Sequence, residues 1–123
     1  LSRGTMVKLN PDFLEATCLK KLSAVEADLD TSNQHELNGV TRLKKILGTE
    51  RKNVLATFSV VGSAGPTVDA EVTWYDAREN HATRTEFRLY FQTNDVMTLA
   101  QPGDTLLIGH DKDGHLHCVL ART

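Results

Sequence analysis

Asp69–Phe91 reads DAEVTWYDARENHATRTEFRLYF, and its alternation decides the fold class. In the first half, Ala70, Val72 and Trp74 alternate with Glu71, Thr73 and Tyr75. In the second, Thr85, Phe87, Leu89 and Phe91 alternate with Arg84, Glu86, Arg88 and Tyr90. A period of two gives each strand one buried and one solvated face. The stretch therefore predicts two strands joined by a polar loop. The solvated face of the second strand sets Arg84, Glu86 and Arg88 side by side, next to a loop holding Arg78, Asn80 and His81. Arginine can bond the O6 and N7 edge of guanine, and a carboxylate can accept from the cytosine amino group. An ordinary cross-strand ladder of opposite charges uses the same residues, so both readings stand at this point.

Upstream, Gly62–Val68 is a loop by its Gly and Pro content. Asn53–Val61 has few polar side chains and predicts a central strand. Val40–Leu47 predicts a short amphipathic helix with Val40, Leu43, Ile46 and Leu47 inward, Asn38 as cap and Gly48 just past the end. Ala27–Asn38 is polar and without period, hence a loop. Its Thr31, Ser32, Asn33, Gln34, His35, Glu36 and Asn38 form a run of hydrogen-bonding groups, either a solvated loop or an arm reaching into a groove. Asn10-Pro11 predicts a helix start, with Phe13, Leu14 and Cys18 at helical spacing. Thr17–Val25 reads equally as helix or as a strand carrying Lys20 and Lys21, with propensity on the side of the helix. Downstream, Asn94–Ala100 suits a short helix capped by Thr93 or Asn94. Thr105–Gly109 and His115–Ala121 are strands around Asp111-Lys112-Asp113-Gly114, a hairpin signal. Six or seven strands with two or three short helices predict a barrel or open barrel.

The chain has 123 residues, 40% of them apolar, enough for one domain with a real core. Leu1–Thr5 reads as an artificial leader before a native Met6, which leaves 6–123 as one domain. The abrupt Ala121-Arg122-Thr123 end predicts a piece of a longer protein. A net charge of −2 provides no global basic field, so a nucleic-acid binder of this composition gains little non-specific affinity. Two cysteines, Cys18 and Cys118, predict free thiols in a reducing, cytoplasmic setting. No apolar run is long enough to span a bilayer, and no secretory leader is visible.

Enzymatic signals are few. His110, His115 and His117 flank the final hairpin with Asp111 and Asp113, and two His with a carboxylate can hold a metal. A metal-dependent hydrolase centred there is the alternative function, although the aspartates are also what a tight turn uses. The turn is too short for a helix–loop–helix calcium site. The nucleophile elbow, the phosphate loop and the carboxylate–lysine core of a metal nuclease are all missing. The chain reads as a binding module without catalytic residues, metal or cofactor. A protein-interaction barrel is a further alternative.

Trp74-Tyr75-Asp76-Ala77-Arg78, a four-residue loop, and Thr83-Arg84-Thr85-Glu86-Phe87-Arg88 resemble the N-terminal effector domain of EcoRII-type restriction endonucleases. The family has an aromatic-Tyr-Asn-Ser-Arg strand end, a loop of equal length, then Thr-Arg-x-Glu-x-Arg. Leu19-Lys20-Lys21-Leu22-Ser23-Ala24 is similar to the family's first strand, and Thr105-Leu106-Leu107 and Cys118-Val119-Leu120-Ala121 to its closing strands. The resemblance covers most of Asp12–Ala121. It implies a mostly β DNA-binding pseudobarrel, an open seven-stranded barrel with short helices, that grips the major groove with two arms. Thr31–Asn38 and Asn80–Arg88 would be those arms. Arg84 and Arg88 would read guanine, Glu86 would accept from cytosine, and Arg78, Asn80, His81 and Thr83 would flank them. Thr31, Ser32, Asn33, Gln34, His35 and Asn38 would face them, and Lys20, Lys21 and Ser23 would hold phosphate. The family has Lys where Ala82 and Phe87 stand, and its first-arm His falls at Asn33, with His35 nearby. These departures leave a CC(A/T)GG-related, G·C-flanked site as the expectation. The implied partners are duplex DNA and a nuclease catalytic domain in the same parent chain.

Overall fold

Lys52–Val60 and Val68–Asp76 are the longest strands among the described residues and lie side by side near the middle of the sheet. The computed structural model describes residues 14–27, 36–38, 41–61, 65–78 and 85–122. Its elements run β1 (Leu14–Lys21), a one-turn helix α1 (Ala24–Ala27), β2 (Glu36–Asn38), α2 (Thr41–Leu47), β3 (Lys52–Val60) and β4 (Val68–Asp76). They continue with β5 (Phe87–Phe91), a 3-10 turn (Met97–Leu99), β6 (Thr105–Asp111) and β7 (Leu116–Ala121). All seven strands join one sheet in the order β1-β6-β7-β3-β4-β5-β2. Only β3 and β7 run parallel; the other neighbours are antiparallel. The sheet curls strongly into an open half-barrel, with β1 and β2 as its edges. The expected seven-stranded open barrel is the observed architecture.

Alternation places the core. Phe58, Ala70, Val72, Trp74, Phe87, Leu89, Phe91, Leu106, Ile108, Leu120 and Leu37 turn inward and are buried. Trp74 stacks on Phe87 with ring centroids 5.1 Å apart, a pairing that adds to area burial. The Trp74 Nε1–H donates to the Gly48 carbonyl at 2.9 Å. Gly48 has φ +89° and closes α2, so the helix end is tied to the barrel through one indole. Cys18 and Cys118 occupy the same inward row with Ile108 between them. Two strand spacings of about 4.8 Å separate them, too far for a disulfide, and both thiols are free and buried. No helix among the described residues is long and apolar enough to cross a membrane.

Four expectations change. The helix through Leu14 and Cys18 is instead β1; Asn10, Pro11 and Phe13 lie outside the described residues. A register shift between Leu14 and Ala16 interrupts the strand. It leaves Leu14 with Leu107 and Val119 in a separate small cluster while Cys18 joins the main core. On a regular strand a spacing of four would set both on one face; the bulge instead sends Leu14 and Cys18 to opposite faces of the sheet. The polar loop Ala27–Asn38 ends early, because Leu37 is buried and β2 pairs with β5. The second strand of the opening pair begins at Phe87, and Thr85 is exposed outside it. Asp76 Oδ1 accepts the backbone N–H groups of Glu86 (2.7 Å) and Arg78 (2.9 Å), closing the ladder there. The helix expected over Asn94–Ala100 shrinks to the 3-10 turn, whose N-cap is Val96; Asn94 Oδ1 accepts the backbone N–H groups of Val96 and Met97 just ahead of it.

The final hairpin forms as its Asp-Gly signal requires. Gly114 takes φ +82° and its N–H donates to the Asp111 carbonyl at 2.9 Å. A Cβ at Gly114 would meet nothing within 4 Å, so the cost of adding one is purely conformational. Gly114→Ala is expected to lower stability by about 1–2 kcal/mol, with Gly114→Asn costing less, read by urea unfolding. Equal stability of all three would show that the left-handed turn is not required.

Candidate functional site

The outer face of the β4–β5–β2 edge is assembled by register. Tyr75 of β4 lies opposite Arg88 of β5, and Arg88 lies opposite Asn38 of β2. Inward neighbours Trp74, Leu89 and Leu37 are buried, so this row faces the other way. Arg88 Nη1 donates to Glu36 Oε1 at 3.3 Å, and Arg88 Nη2 pairs with Glu86 Oε2. The other Glu86 oxygen, Oε1, accepts Arg78 Nε at 2.9 Å. Glu36 Oε2 accepts the Tyr75 hydroxyl, and the Arg51 guanidinium sits over the Tyr75 ring, 5.5 Å from its centroid. The result is a continuous chain of partners: Arg78, Glu86, Arg88, Glu36 and Tyr75.

Electrostatics follow from these contacts. Hydrogen bonds from Arg88 and then Arg78 hold the Glu86 carboxyl below its ordinary range. The bond to Glu86 raises Arg88 above its already high value. Burial first, then the bond to Glu36, pushes the Tyr75 phenol up to about 12, so Tyr75 is a neutral donor at pH 7. The side chain of Arg78 is the most open of the group, 46% exposed against 26% for Arg88. Its two terminal nitrogens meet no partner among the described residues. Arg88 Nε is buried and without a partner among them. A guanidinium anchored through one edge presents its remaining donors in a fixed plane.

Of the residues expected from sequence, Arg78, Glu86 and Arg88 come together here. Asn38 is the backbone pair of Arg88. Thr31, Ser32, Asn33, Gln34, His35, Asn80, His81, Thr83 and Arg84 lie outside the described residues. Tyr75 was not among the expected site residues and Glu36 was expected only as a member of the arm Thr31–Asn38, yet they complete the cluster. The signal for Tyr75 was its place on the solvated face opposite Arg88. The signal for Glu36 was its position next to Leu37, the apolar residue that pins β2.

The expected phosphate-holding trio is divided. Lys20 Nζ meets Glu26 Oε2 at 2.9 Å, with the two side chains 11% and 3% exposed. Ser23 Oγ accepts the Glu26 N–H at 3.2 Å, while Glu26 Oε1 accepts the Ser23 N–H at 2.9 Å. This reciprocal box starts α1. Lys20 and Ser23 therefore serve the fold, since β1 turns Lys20 toward the buried Glu26. Lys21, on the opposite face of β1, is exposed.

The histidines of the last hairpin face separate partners. His117 Nε2 lies 2.9 Å from Asp111 Oδ2. His115 Nε2 lies 2.7 Å from Thr57 Oγ1, whose hydroxyl donates to Asp69 Oδ1 at 2.7 Å. Burial lowers His110 from its usual range. Asp111 Oδ1 is engaged by the backbone N–H groups of Asp113 and His115. Among the described residues no three His, Cys, Asp or Glu side chains converge as a metal site would need. The arrangement can order a hairpin, and the Arg–Glu cluster is the stronger candidate for recognition. Neither a protein-family model nor a curated protein matches the chain.

Proposed function

We propose that this domain recognises duplex DNA in a sequence-specific way, reading a short G·C-flanked site related to CC(A/T)GG. The observation that carries the reading is Arg88, held in a fork between Glu36 and Glu86 with Arg78 anchored beside it. Two arginines fixed by carboxylates on one sheet face form a rigid pair of forks, and bidentate arginine is the commonest reader of guanine. A two-stranded β unit fits the B-DNA major groove, about 12 Å wide. Glu36 directly follows the polar run Thr31–His35, and Arg88 follows the β4–β5 connection. The Glu36–Arg88 ion pair thus links the roots of both expected arms. With a net charge of −2, affinity must come from base edges more than from phosphate. In this reading the domain has no catalytic residues. It serves a type II restriction endonuclease whose nuclease domain belongs to the same parent chain.

A gel shift tests the proposal. The chain is expected to retard a CC(A/T)GG duplex at concentrations that leave a scrambled duplex free. Equal, weak retardation of both would overturn it.

A further inference from the structure

Two arginines and two glutamates form the ion pairs of the cluster, so the formal charges within those pairs cancel, while Arg51 over the Tyr75 ring lies outside them. That balance matters for DNA. An unanswered arginine beside a groove attracts any phosphate, and phosphate attraction carries no sequence information. Arg88 is answered on both terminal nitrogens, by Glu36 on Nη1 and by Glu86 on Nη2. Each of these nitrogens carries two hydrogens, so one N–H on each is left after the glutamates are satisfied. Such a pair suits the two acceptors of a guanine edge. A phosphate would gain less, because the positive charge is already matched.

Glu86 already holds both arginines, so Glu36 supplies the second negative charge that completes the balance. It comes from a different strand, and it is locked from behind. The Tyr75 hydroxyl donates to Glu36 Oε2. Tyr75 stays protonated at pH 7, its pKa pushed up to about 12, and so fixes Glu36 without adding charge. The Glu36 side chain is 19% exposed, which shields the pair from screening by salt.

We infer that Glu36 is a specificity-determining residue: it cancels the attraction of Arg88 for phosphate while leaving the base-reading hydrogens of Arg88 presented, and Tyr75 is its positioning residue. The inference rests on the DNA-recognition reading above. The domain then discriminates partly by suppressing its grip on wrong sequences, a repulsive contribution to specificity.

Equilibrium binding of the full chain to a CC(A/T)GG duplex and to a scrambled duplex, over a range of salt, tests this. Glu36→Gln keeps the shape and removes the charge. It is expected to bind the scrambled duplex roughly 2- to 10-fold tighter, with a salt slope steeper by about one, and so to lose discrimination. Tyr75→Phe keeps the charge and loosens its position. It is expected to leave the salt slope unchanged and to lose affinity for the preferred duplex alone. Thermal unfolding verifies that each variant is folded, and Tyr75→Phe carries the test if Glu36→Gln is not. If wild type binds both duplexes equally, the recognition reading falls and takes this inference with it. If wild type discriminates while Glu36→Gln keeps its slope and its weak scrambled-duplex binding, the inference alone is overturned. A steeper slope in Tyr75→Phe overturns it as well.

Discussion

Lys20→Ala is expected to destabilise the fold by about 3–5 kcal/mol, the range for removing one partner of a buried ion pair. Glu26 is 2% exposed, and its carboxylate is met by Lys20 at 2.9 Å and by the Ser23 N–H at 2.9 Å. Without the ammonium, that carboxylate stays in the interior and loses its Lys20 partner. Lys20→Met combined with Glu26→Gln removes both charges and keeps the volume. It is expected to recover most of the loss, because a buried pair and a neutral replacement of similar shape often balance. Urea unfolding of wild type, each single variant and the pair gives the coupling directly. A loss below about 1 kcal/mol for Lys20→Ala would place the pair with exposed ion pairs and return Lys20 to the candidates for DNA phosphate. The two roles differ in a second way. A phosphate contact weakens all duplexes alike and leaves stability unchanged, and that pattern is expected of the exposed Lys21, with a salt slope lower by about one.

Arg88→Ala is expected to cost about 1–3 kcal/mol on the preferred duplex and to relax discrimination at one base pair. Binding measured against a set of single-base-pair variants of the site identifies which one. Glu86→Ala separates base reading from a plain charge ladder. Its carboxylate opposes phosphate, so a bystander Glu86 would on removal tighten binding to every duplex. As the bridge between Arg78 Nε and Arg88 Nη2, it should instead weaken the preferred site while non-specific binding holds or rises. Equal tightening on all duplexes would end the base-reading role of this face.

Much of the barrel was legible because strand signals repeat. Trp74 and Leu89 announced their burial by strict alternation, and Gly114 announced its turn. Gly48 ended α2 where a left-handed residue was required. What escaped had long-range causes. Leu14 and Cys18 are spaced as on one helix face, but β1 is a strand whose bulge sends them to opposite faces, and no local pattern encodes a bulge. β2 is three residues long, too short to show a period, and only its pairing with β5 reveals it. At the site, Arg78, Glu86 and Arg88 were legible together because they are near neighbours in sequence. Glu36 was not, since its partner lies 52 positions away. Lys20 was misplaced for the converse reason: a lysine run looks solvated until one member meets a buried carboxylate.

The parallel pairing of β3 with β7 governs the order in which the chain can fold. β3, β4 and β5 pair in sequence as antiparallel neighbours, so this meander can close locally and early. β1 finds its place only on β6, and β6 reaches the meander only through β7. Half the sheet therefore waits for the last strand to be made. Until then one side of β6 and the open side of β3 present unpaired backbone edges. Closing such distant contacts is slow, in the millisecond-to-second range typical of non-local β topologies. A nascent chain stalled before β7 would carry a sticky meander without its partner. Leu116–Ala121, which carries none of the proposed DNA contacts, is thereby expected to set the yield of folded protein.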